Sequence, residues 1–113
     1  PVQKKKYEMC VTWHVEQVAY FLKRLKSLDE GGTTLLDNSQ VMFGCGIKCG
    51  NLHLEHDLPI ALAGGGKGTI KQGRRLSYPK ETPLCNLYLS MLQRMGIEEK
   101  SFGDSTGTLS NLG

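Results

Sequence analysis

Apolar residues recur at three- and four-residue spacing near the start of the chain: Tyr7, Val11, Val15, Val18, Leu22 and Leu25. That spacing marks one face of a long amphipathic helix, and a helical unit is expected over 1–30. Lys23, Arg24 and Lys26 near its end suit the negative pole of the helix dipole, and Gly31-Gly32 supply a stop. Two short continuous apolar runs follow, "QVMFG" and "LPIALA", separated by a glycine-rich loop and expected to form a strand–loop–strand unit over 31–66. A basic loop is expected over 67–81. A second helix is expected over 82–96, with Thr82 as cap, Pro83 in its first turn and Gly96 as its stop. Leu84, Leu87, Tyr88, Met91, Leu92 and Met95 form its apolar stripe. The tail, 97–113, has little periodicity, and Phe102 is expected to pin it to the body.

Strands that are apolar throughout, with a helix before and another after, predict an α/β arrangement with two short parallel strands covered on both faces. Two strands are too few for a stable doubly wound sheet. The expectation is therefore a single piece, 1–113, of a larger α/β domain, whose sheet is completed by the remainder of the same polypeptide or by a second chain. The opening "PVQKKKYEMC" also reads like the interior of a helix.

Composition narrows the function. The chain has 39% hydrophobic and 22% charged residues, which is ordinary for a globular domain. Its longest apolar runs are strand-length, so no membrane span is expected. The net charge of +3 and pI near 8.8 are too mild to argue for nucleic acid, and no partner of that kind is expected. Lys67, Arg74 and Arg75 lie in the glycine-rich basic loop, as a solvated surface or as a contact for an anion. "LAGGGKGT" departs from a phosphate-binding loop, with Ala61 where the first Gly belongs and Gly68 where Ser or Thr belongs, so its glycines are expected to turn the chain sharply off the strand end.

The densest candidate chemistry is "GCGIKCGNLHLEHDLP". Cys45, Cys49, His53 and His56 have the ligand types of a zinc site, although only three residues separate the thiol pair from the imidazole pair. A Cys45–Cys49 disulfide is an alternative. His53 and His56, with Glu55 and Asp57 beside them, are also the usual material of a divalent-metal or acid–base site, Asp57 and Glu55 then supporting the ligands from behind. The plain alternative is a polar loop making ordinary hydrogen bonds. Cys10 and Cys85 fall on apolar stripes and read as small hydrophobes, and His14 as a packed or surface residue. Trp13 and Tyr20, seven apart, share a helix face that is available to the rest of the protein or to a partner.

"WHVEQVAYFLKRLKSLDEGGTTLLDNSQVMFGCGI", "GNLHLEHDLPIALAGGG", "GRRLSYPKETPLCNLYLSMLQRMG" and "FGDSTGTLSNLG" together resemble the C-terminal part of a family of bacterial exported proteins named for an HxxSHH motif. The named motif is absent from these residues. That family is similar to the alkaline phosphatase and sulfatase superfamily. The resemblance implies an alkaline-phosphatase-like α/β sandwich, metal-assisted hydrolysis of phosphate or sulfate esters, and a place in the periplasm or at the cell surface. It makes His53 and His56 the candidate metal ligands. Gly46 and Ile47 stand where sulfatases carry Asp followed by Asn or His, so a nucleophile and further ligands would come from elsewhere. Three functions remain in play: part of a metal-dependent ester hydrolase, a non-catalytic binding or assembly module of the same fold, and a small free-standing zinc module.

Overall fold

The computed structural model describes residues 2–113. Four elements run in the order α1 (Val2–Lys26), β1 (Val41–Gly44), β2 (Ile60–Ala63) and α2 (Cys85–Arg94). The mixed helix-and-strand expectation holds. The strand direction does not: β1 and β2 pair antiparallel, with Val41 opposite Ala63 and Gly44 opposite Ile60. The reason is in the connection. A parallel pair needs a crossover, usually helical, to bring the chain back to the same end. Residues 45–59 contain no helix. They fold back on themselves instead, with Lys48 N–H donating to the Leu54 carbonyl at 2.7 Å and Cys49 bridging Leu54 antiparallel. The chain re-enters the sheet from the end at which it left.

α1 stops at Lys26, and a tight reversal follows. Gly31 (φ 70°) and Gly32 (φ 92°) both take the left-handed conformation of a two-residue turn, flanked by the Glu30 N–H to Thr33 carbonyl bond at 2.7 Å. α2 is shorter than expected at its start. Thr82 does not cap it: its hydroxyl donates to the Pro79 carbonyl at 2.7 Å, and the helix begins at Cys85. Its end matches expectation. Gly96 is left-handed (φ 83°), Gly96 N–H donates to Gln93 and Ile97 N–H to Leu92, the paired bonds of a Schellman stop.

The core gathers around α2. Leu87 and Leu89 are buried, joined by Ile70 and Leu112 from outside the helix. The buried face is turned from the expected stripe, since Met95 is 69% exposed while Asn86 and Ser90 are buried. The tail decides this. The Ser90 hydroxyl accepts the Leu109 N–H at 2.8 Å, and the Asn86 amide exchanges two bonds with Thr106, at 2.8 and 3.1 Å. Phe102 packs edge-on against Tyr88 with ring centroids 6.0 Å apart. Tyr78 hydroxyl donates to the Ser110 carbonyl, and Lys71 N–H and the Arg74 guanidinium both donate to that of Leu112. These polar contacts hold an aperiodic tail in place where hydrophobic periodicity has nothing to show.

α1 is the opposite case. Its 25 residues include no buried side chain, and only Val18, Leu22 and Leu25 are even half-buried. Tyr7, Val11 and Val15, the N-terminal half of the same stripe, stand exposed. Cys10 is exposed too, so it is not the packed small hydrophobe expected of its position. The sheet is also thinly covered. Val41, Met42, Phe43, Ile60 and Leu62 are half-buried, although alternation places apolar side chains on both faces.

Candidate functional site

The loop from Cys45 to Asp57 is a folded reversal, not a cage. Cys45 is exposed and Cys49 half-buried; both are free thiols, so the disulfide alternative is not formed. His53, Glu55, His56 and Asp57 are all exposed. Two of them hold the left-handed conformation that favours glycine, His53 at φ 50° and Asp57 at φ 49°. Asp57 is anchored by Lys48, whose ammonium lies 3.0 Å from its carboxylate. That hydrogen bond, with the lysine's charge, holds the Asp57 carboxyl below the usual carboxylate range. Among the described residues, no three His, Cys, Asp or Glu side chains gather closely enough to hold a metal ion.

A second polar place lies where Gly64, Gly65 and Gly66 cross the 36–39 turn. Gly65 N–H donates to Leu36, Gly66 N–H to Ser39 and Lys67 N–H to Asp37, at 3.1, 3.0 and 2.9 Å. A Cβ at Gly64 would run into the Ser39 carbonyl, and one at Gly65 into that of Asp37. The three glycines thus permit a close backbone seam. Their neighbouring amides are spent on carbonyls rather than turned outward to a phosphate, in keeping with the departure from the phosphate-loop pattern.

Beside this seam runs a shallow open groove lined by Thr33, Asp37, Asn38, Lys67 and Gln72. Asp37 is fastened at its edge. The Thr34 hydroxyl and N–H donate to its carboxylate at 2.7 and 2.9 Å, and its own N–H donates back to Thr34 Oγ at 3.2 Å. The Thr34 hydroxyl, then the Thr34 N–H, hold this carboxyl below its ordinary range. The T-x-x-D spacing was the available sequence signal for this reciprocal pair.

Of the three basic residues expected to meet an anion, Lys67 lines the groove and is left-handed at φ 57°. Arg74 spends two donors on the carbonyls of Lys71 and Leu112, at 3.0 and 3.1 Å, and so fastens the tail. Arg75 is exposed. On α1, the His14 ring nitrogen Nδ1 is 2.8 Å from the Cys10 carbonyl, and its ring meets Trp13 edge-on.

The molecule is thus a small mixed α/β unit with a polar groove, a strained His/Asp loop and an uncovered helix. Comparison of the chain with known protein families, curated proteins and solved structures finds no match. No helix among the described residues is long and apolar enough to cross a membrane.

Proposed function

We propose that this chain is a non-catalytic assembly piece, which contributes a helix and a strand pair to a larger α/β body supplied by the remainder of its polypeptide or by a second chain. One observation carries the reading: α1 offers Tyr7, Val11, Trp13, Val15, Tyr20 and Phe21 to solvent and buries nothing. Most helical stability in proteins comes from packing an apolar face. The sheet adds to this, because both of its apolar faces are only half covered. The proposed larger body is an alkaline-phosphatase-like α/β sandwich in the periplasm or at the cell surface, a reading that the resemblance to exported proteins supports.

Amide exchange on the purified chain tests this. Residues 2–17 are expected to exchange much faster than α2 in the chain alone, and to slow when the covering body is present. A monomeric chain whose α1 is as protected as α2 would refute the reading.

A second reading rests on the strained loop. Left-handed non-glycine residues cluster at functional sites, and His53 and Asp57 are two of them, separated by three residues. In this reading the chain is the C-terminal part of a metal-dependent phosphate- or sulfate-ester hydrolase. His53 and His56 meet a divalent metal, such as zinc, whose other ligands lie outside this chain. Metal analysis of the assembled protein beside His53→Ala and His56→Ala variants decides it. Unchanged metal content in both variants removes these histidines from the site.

A further inference from the structure

α1 is apolar on two opposite faces. At about 100° per residue, Tyr7, Val11, Val15, Val18, Leu22 and Leu25 fall on one side, and Val2, Met9, Trp13 and Tyr20 on the other. The first face leans on the body at its C-terminal end, through half-buried Val18, Leu22 and Leu25. The second is open along its length: Val2, Met9, Trp13 and Tyr20 are each at least 55% exposed.

The open face has a definite charge frame. Lys5 and Lys6 flank it at one end and Lys23 and Arg24 at the other, with Glu16 the one acidic residue on this side, and all five are exposed. The two basic ends lie 18 residues apart, about 27 Å along the axis. α1 holds six of the 14 Lys and Arg and two of the 11 Asp and Glu, a net of +4, which leaves the other residues at −1 beneath the chain total of +3. The chain's mild overall charge therefore hides a strongly basic helix.

We infer that α1 docks into an apolar groove of an acidic protein surface, with carboxylates at both ends of the groove to meet Lys5/Lys6 and Lys23/Arg24. This rests on the reading of the chain as an assembly piece and specifies the chemistry of what covers it. The charge frame argues against a second copy. Antiparallel pairing of two α1 helices that aligns their basic ends sets Lys5 and Lys6 against Lys23 and Arg24, and parallel pairing sets each against itself. Both juxtapose like charges, which costs affinity. The two-sided pattern argues against a lipid surface. An interfacial helix buries one face and leaves the other polar, whereas the N-terminal half of α1 exposes Tyr7, Val11 and Val15 opposite Met9 and Trp13.

Trp13 is the single tryptophan and sits at the centre of the open face, so its emission reports docking directly. The probes are a four-heptad amphipathic Leu/Glu helix peptide, its Leu/Lys counterpart, and vesicles of phosphatidylglycerol. The expected result is a blue shift of Trp13 with the Leu/Glu peptide alone. The apparent Kd should rise at least tenfold in a K5E/K6E/K23E/R24E variant that keeps its circular dichroism, and that variant should turn to the Leu/Lys peptide. Equal binding of the two peptides, or a concentration-dependent dimer that shifts Trp13 without any probe, overturns the acidic partner while leaving α1 a covered helix. A shift with vesicles but not with the Leu/Glu peptide overturns it in favour of lipid. An unshifted Trp13 under every probe also overturns it, and the amide-exchange experiment above then judges the assembly reading separately.

Discussion

Ser90 is the place where one atom decides whether the tail stays on α2. Its side chain is fully buried, its hydroxyl donates to the Asn86 carbonyl at 2.8 Å, and its oxygen accepts the Leu109 N–H at 2.8 Å. Ser90→Ala removes little volume, so the cavity contribution is small. It leaves the Leu109 N–H without its acceptor. Leu109 is half-buried, so the loss is at most about 1–3 kcal/mol, the cost of an orphaned buried donor, or no more than roughly a 5- to 150-fold rise in local opening. The assay is amide hydrogen exchange resolved by residue. Leu109 should lose protection within that range. Thr106, held separately by Asn86 Oδ1 at 2.8 Å, should lose less. Asn86→Ala should reverse the order, and the double variant should fall short of the sum, because the two side chains belong to one network. Unchanged Leu109 protection in Ser90→Ala would refute the claim that side-chain bonds, rather than Leu112 packing, hold the tail.

Three further outcomes follow from contacts already described. Gly64→Ala forces a side chain onto a residue at φ 98° and against the Ser39 carbonyl, so a loss of at least about 1–3 kcal/mol is expected in urea unfolding, more than for Gly68→Ala, where the added carbon meets nothing. The Asp104 carboxylate, by accepting a hydrogen bond from Cys85, pushes that thiol up, so iodoacetamide at mildly alkaline pH should label Cys10 and Cys45 before Cys85, and Asp104→Asn should narrow the gap. The depressed Asp57 carboxyl stabilises its loop above the ordinary carboxylate range and loses that contribution as pH falls through its folded value. A carbon-detected titration should place Asp57 below a normal aspartate, and Lys48→Ala should return it.

How much of this was legible in the sequence depended on what kind of force sets each part. Helices declared themselves through 3.6-residue spacing, and Gly96 marked the end of α2 because only a left-handed residue completes that stop. Strand positions were visible for the same reason, as continuous apolar runs. Strand direction was not, because it was settled by the Lys48–Leu54 closure inside a loop with no periodic signal. The stripe of α1 was legible, while its lack of cover was not, since periodicity says which side wants a partner and is silent on whether one is near. Asn86 and Ser90 lie at helical spacing on the side of α2 away from the expected apolar stripe, and the tail closes over that side. Polar residues so placed read as a solvated face, so the tail lying over them left no periodic sign in the sequence. The cysteine and histidine cluster lies along a mostly exposed loop, since closeness in sequence does not by itself gather side chains.

The way the tail closes over α2 also sets an order of events. Ile70, Leu87 and Leu89 share their core with Leu112, and Asn86 and Ser90 find partners 19–20 residues later. During synthesis, α2 emerges with its inner face unfinished and waits for residues 102–112 before it can settle. Residues 102–112 thus act as the clasp on which the rest of this core depends. A break between α2 and residues 102–112 is the one this architecture is least able to absorb.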